Sequence, residues 1–166
     1  MGLLGIDRLV HKIGEKGKLI ETEPKSQLVV AIEGPVCAGK SSLIGNLTQN
    51  GVGAVLEYSE YVEHAIQNFP KFPPENLEAA KRSFEFFMTL EKQRNQDFAN
   101  LNEPLVAIDR SIFTLLGFEV GAAAITGIDI FKWAIDRLQI ENDLILPNHI
   151  FYIDVSPAVS RLRAAI

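Results

Sequence analysis

Residues 34–42, G-P-V-C-A-G-K-S-S, place two glycines, a lysine and two serines directly after the apolar run L-V-V-A-I-E at 28–33. Gly34, four intervening residues, then Gly39, Lys40 and Ser41 satisfy the spacing G-x-x-x-x-G-K-[ST], whose chemistry is polyphosphate binding. Glycines let the backbone curl so that successive N–H groups point inward at phosphate oxygens. A helix opening at the same point adds the positive end of its dipole. On this reading Gly34, Cys37, Ala38, Gly39, Lys40, Ser41 and Ser42 cradle ATP. Lys40 reaches the β- and γ-phosphates and acts catalytically, and the Ser41 hydroxyl is a ligand of Mg2+. Cys37 is read as a small residue filling a loop position rather than a redox centre.

Such a loop works only between a strand and a helix, and the surrounding chain supplies both. Apolar runs of strand length fall at 28–33, 54–57, 105–109 and 149–155, and helical patterning falls at about 40–49, 60–68, 75–101, 112–124 and 129–140. Continuous apolar strands separated by helices predict an α/β fold, a parallel β-sheet flanked by helices on both faces. In such a sheet the ligand crevice lies beyond the carboxyl ends of the strands. Glu57, Asp109 and Arg110, each at or near a predicted strand end, should therefore converge on the loop.

Upstream of this domain, residues 1–26 read as an extension. Leu3, Ile6, Leu9, Val10 and Ile13 recur at helical spacing, and Gly14, Gly17 and Pro24 then break the pattern. A short amphipathic helix and linker are expected there, docked on the domain or lying as a tail, with membrane-surface binding the lesser alternative. Residues 27–166 form the expected catalytic domain. The formal net charge of −5 argues against a nucleic-acid partner, because phosphate-backbone binding draws on clustered Lys and Arg. Cys37 is the one cysteine, so an intrachain disulfide is excluded. With no signal peptide and no apolar run of membrane-spanning length, the expected compartment is the cytoplasm.

Four stretches carry a resemblance: I-E-G-P-V-C-A-G-K-S-S at 32–42, V-L-E at 55–57, I-D-R-S at 108–111, and F-Y-I-D-V-S-P-A-V-S-R-L-R at 151–163. In this order, from Leu28 to Arg163, the chain resembles the thymidylate kinase and deoxynucleoside kinase group of P-loop kinases. The resemblance implies phosphoryl transfer from ATP, with Mg2+, to a nucleoside or nucleoside monophosphate. It implies Asp109 near the metal and Arg110 as a catalytic, substrate-binding arginine on the accepting end. Glu57 is implied as the base that takes the 5′-hydroxyl proton. Arg94 and Gln96 look like the R-x-Q of thymidylate kinases that faces the acceptor, although a polar helix face has the same pattern. A homodimer through helices beside the sheet is also implied, with Phe84 to Leu90 as the surface, although core burial explains those residues equally well.

The two subgroups remain open at this level. Val36 stands where thymidylate kinases carry aspartate, and Ser111 follows the arginine as in nucleoside kinases. Asp154, Val155, Arg94 and Gln96 lean the other way, Glu57 lacks the proline that usually follows the acid, and Phe86 and Phe87 stand near the place of a nucleoside-kinase glutamine. Members of the group continue into an arginine-rich lid and a last strand. Arg161 and Arg163 resemble the first lid arginines, and the sequence is expected to lack the rest, as a fragment of a longer kinase or a shortened homologue. The alternative function is a nucleotide-binding regulatory or interaction module that has lost catalysis with the lid. A switch GTPase does not fit, since neither N-K-x-D nor D-x-x-G follows the loop.

Overall fold

The computed structural model describes residues 27–62 and 69–165. In chain order these form β1 (Leu28–Glu33), α1 (Lys40–Gln49), β2 (Gly53–Val55), a 3-10 turn (Tyr58–Tyr61), α2 (Leu77–Asn100) and β3 (Leu105–Asp109). Then come α3 (Ile112–Thr126), α4 (Phe131–Leu138), β4 (His149–Tyr152) and α5 (Pro157–Ala164). All three strand pairings are parallel, and the sheet order is β2-β3-β1-β4. Both sheet neighbours of β1 are therefore non-consecutive in sequence, the arrangement that opens a crevice above the strand ends.

Register explains how the strands serve two layers. Val30 pairs with Ala107 and Ile32 with Asp109, so these side chains share one face. There Ile32 and Ala107 pack against Ile44 and Leu47 of α1. Val29, Ala31, Val106 and Ile108 face the other way and meet Phe98 of α2, Leu101 and Ile145. A larger apolar cluster joins α2, α3 and α4 through Phe84, Met88, Leu115, Leu116, Ala134 and Leu138. Phe84, Met88 and Leu90 are buried here on the inward stripe of α2, so core burial accounts for these three side chains. β4 differs from the inner strands, with all four residues exposed.

The expected elements are present with shifted ends. Strand two closes at Val55, so Glu57 sits beyond it, and strand four closes at Tyr152. Over 60–68 only the 3-10 turn to Tyr61 is described; 63–68 lie outside the described residues, as does the expected helix in 1–26. α2 begins where the Asn76 side chain accepts the Ala79 N–H at 2.9 Å. This N-cap satisfies a donor that the helix itself leaves unpaired.

Candidate functional site

The loop after β1 and the residues just beyond β2 and β3 enclose a cleft of about 180 Å3, lined by Val36, Cys37, Gly39, Lys40, Ser41, Ser42, Glu57 and Arg110. The loop's shape depends on backbone that ordinary residues resist. Gly39 has φ 101, and Gly34 has φ 144 in a position where a Cβ would fall 2.6 Å from the Ile153 carbonyl oxygen. Cys37 is also left-handed, at φ 57. From the far side α5 closes on the same backbone. Ser160 Oγ donates to the Val36 carbonyl at 2.7 Å, and Arg163 Nη1 lies 3.3 Å from the carbonyls of both Cys37 and Ala38.

Within the cleft Lys40 is buried and donates to the Pro35 carbonyl at 3.0 Å. Burial first, and the Arg110 guanidinium second, hold its ammonium below the ordinary lysine range. A polyanion would relieve both penalties at once. Ser41 Oγ donates to Asp109 Oδ2 at 2.8 Å, while Asp109 Oδ1 is buried without a hydrogen-bond partner. Burial raises the Asp109 pKa, opposed chiefly by the Ser41 hydrogen bond. A hydroxyl and an orphaned carboxylate oxygen side by side are hard oxygen donors of the kind Mg2+ takes when phosphates and water complete its octahedron. The residues present therefore fit the ion.

Arg110 is the hub on the opposite wall. Its Nε donates to Glu57 Oε1 at 2.6 Å and its Nη1 to the Gly34 carbonyl at 3.1 Å, and its backbone is left-handed at φ 63. Lys40, Ser41, Glu57, Asp109 and Arg110 are thus brought together.

Arg94 and Gln96 are not. Arg94 is 0 % exposed: Nη1 pairs with Glu91 at 2.7 Å, Nε donates to the Leu56 carbonyl, and Nη2 donates to the carbonyls of Asp109 and Arg110. Its guanidinium also lies 4.2 Å from the centre of the Tyr58 ring. Every donor edge is turned to protein, so Arg94 supports the strand ends rather than facing an acceptor. Gln96 is exposed, on a separate groove shared with Met88, Lys92 and Glu141. The helix explains the separation: at about 100° per residue, positions two apart point to opposite sides.

One residue of the assembly went unpredicted. Glu33, the last residue of β1, is 8 % exposed, and its carboxylate accepts from the Ser111 N–H (2.9 Å), Ser111 Oγ (2.6 Å) and Thr114 Oγ1. An acidic residue ending an otherwise apolar strand was the available signal.

No protein-family model matches the chain, and no curated protein does. Among solved structures, a deoxyadenosine kinase from M. mycoides with dCMP and a flexible dCDP bound as products superposes at TM-score 0.64 and 18 % identity. That alignment covers 83 % of this chain and 70 % of that one. The same enzyme with bound dATP gives TM-score 0.63 and 19 % identity, over 83 % and 71 %. A thymidylate kinase from Ehrlichia chaffeensis gives TM-score 0.49 and 19 % identity, over 83 % and 78 %. The parallel sheet with flanking helices is thus the fold of P-loop nucleotide kinases.

Proposed function

We propose that the protein transfers a phosphoryl group from ATP, with Mg2+, to a nucleoside or nucleoside monophosphate. The observation that carries this reading is the meeting of Lys40, Ser41, Glu57 and Arg110 around one small cleft, with the Asp109 carboxylate behind Ser41. Phosphoryl transfer needs little covalent help from the protein; positioning and charge stabilisation supply most of the acceleration. The loop N–H groups hold the triphosphate, and Lys40 swings from the Pro35 carbonyl onto it. Ser41 and Asp109 would hold Mg2+, which when bound would neutralise charge on the phosphate oxygens.

Glu57 inclines the reading toward a nucleoside. Its Oε1 is taken by Arg110, and its Oε2 has no hydrogen bond among the described residues, leaving an acceptor for a hydroxyl proton. A monophosphate attacks through an oxygen that is already anionic and needs no base. The deoxyadenosine kinase fold supports the same side. A coupled ADP-release assay across the deoxynucleosides and their monophosphates is the test, with saturable turnover on at least one expected; no turnover on any would overturn the reading.

A further inference from the structure

Arg110 holds a left-handed backbone at φ 63, a strained conformation that survives only where the surroundings over-determine it. Here the whole turn is held. The Arg110 N–H donates to the Ile32 carbonyl at 3.1 Å. The carbonyls of Asp109 and Arg110 accept from Arg94 Nη2 at 3.0 and 2.7 Å. The next amide, Ser111, donates to Glu33 Oε1, and the Ser111 and Thr114 hydroxyls complete the Glu33 carboxylate.

Glu33 thus grips the first turn of α3 from the β1 side, where the helix dipole also favours a negative charge. Arg94 grips the preceding residues from the α2 side and ties them to the Leu56 carbonyl, next to Glu57. Neither side chain lines the phosphate cleft. Two buried charges in a fold of this size are costly unless fully paired, and apolar residues would fill the space more cheaply. All the hydrogen bonds of Glu33 and the Nη2 of Arg94 go to the turn that aims Arg110, while Arg94 Nη1 is held by Glu91 and its Nε by the Leu56 carbonyl.

We infer that Glu33 and Arg94 form a two-sided clamp whose task is to hold the Arg110 guanidinium against Glu57 and the Gly34 carbonyl, at the acceptor end of the cleft. Both are positioning residues. The inference rests on the reading of Arg110 as the acceptor-side arginine, and it deepens that reading by naming what aims it.

The test is Glu33→Gln, which keeps volume but turns an amide NH2 toward hydroxyl and N–H donors. Misplacing a catalytic group by about 1 Å costs about 100-fold, so kcat/KM for the acceptor should fall about 10- to 100-fold. Triphosphate Kd should stay within about twofold, since the donor loop keeps its own backbone bonds. In an Arg110→Ala background, Glu33→Gln should cost less than about twofold more, because a clamp has nothing left to aim. Equal losses in both backgrounds would assign Glu33 a general structural role and overturn the clamp. Thr114→Val, which removes one donor only, runs the same cycle should Glu33→Gln fail to fold.

A readout independent of turnover is the crystal structure of the same variant. Arg110 leaving the left-handed region, or its guanidinium leaving Glu57, supports the clamp; an unchanged turn overturns it. A wild-type protein inert toward every nucleoside and monophosphate would instead remove the proposed function, with the clamp still decided by that structure.

Discussion

The loop after β1 and the strand-end cluster face each other across the same cleft and are built on opposite plans. The loop is contiguous, and the groups proposed to bind phosphate are its backbone amides, in a segment shaped by unusual φ values at Gly34, Cys37 and Gly39. The cluster is assembled from four elements through side chains. Arg110 reaches Glu57 and Gly34 across 53 and 76 residues of chain, and Glu33 meets Ser111 across 78. A backbone site needs residues that permit a conformation, whereas a side-chain site needs a buried scaffold that forces one. The first should therefore lose function without losing stability, and the second should lose stability as soon as its scaffold is cut.

Lys40→Met tests the loop half and carries the largest expected effect. On the proposed function, removing the Lys40 cation should lower kcat by about 1,000-fold or more. Unfolding temperature should hold or rise, because burial already disfavours the Lys40 ammonium in the ligand-free protein. A large stability loss would break the comparison. Arg94→Met tests the scaffold half. It leaves Glu91 as a buried, unpaired carboxylate and takes a donor from three carbonyls. Urea denaturation should show a loss of about 3 kcal/mol, the usual cost of breaking a buried ion pair on one side. Unchanged stability would mean that the cluster does not depend on its scaffold.

Glu57→Gln sharpens the contrast within the cluster itself. Side-chain exposure of 31 % places Glu57 at the open edge, where removing its charge should barely affect folding. With a nucleoside acceptor, loss of a general base should cost about 100-fold in kcat; with a monophosphate acceptor the loss should be a few-fold. Equal losses on both acceptors would remove Glu57 from proton transfer and leave it as the partner of Arg110 alone.

Legibility followed the same divide. The loop and the inner strands at 28–33 and 105–109 were readable because each is a continuous run whose residue types carry the signal. The R-x-Q resemblance pairs Arg94 with Gln96, although helical geometry sends them to opposite sides. The informative neighbour was Glu91, one turn earlier on the same buried stripe as Phe84 and Met88. Glu33 carries no local signal of its role, because it closes an apolar strand and its partners Ser111 and Thr114 lie 78 and 81 residues away along the chain. What a single sequence withholds here is long-range pairing of buried charges, since neither composition nor periodicity encodes which carboxylate a distant amide will meet.

Glu119 provides the smallest effect and the cleanest control, because it sits on α3 as an unpaired counterpart to Glu33. The helix opens under Glu33's fully used carboxylate; two turns further on, Glu119 lies on the buried stripe with Ile112, Leu115 and Ala122, 6 % exposed. Among the described residues it has no hydrogen-bond or ion-pair partner, and burial pushes its pKa up to about 7 from 4.5. The folded protein therefore keeps a proton that the unfolded chain releases between those values. Stability contributed by this proton is present below about pH 4.5 and is lost as pH rises through 7, a decline on the order of 2–3 kcal/mol. Glu119→Gln carries the neutral form permanently. Its unfolding free energy should match wild type near pH 4.5 and exceed it by about 3 kcal/mol at pH 8, measured by denaturant titration at both values. A difference that stays flat with pH would mean that Glu119 is paired after all, and the two buried acids that meet α3, Glu33 and Glu119, would then belong to one class rather than two.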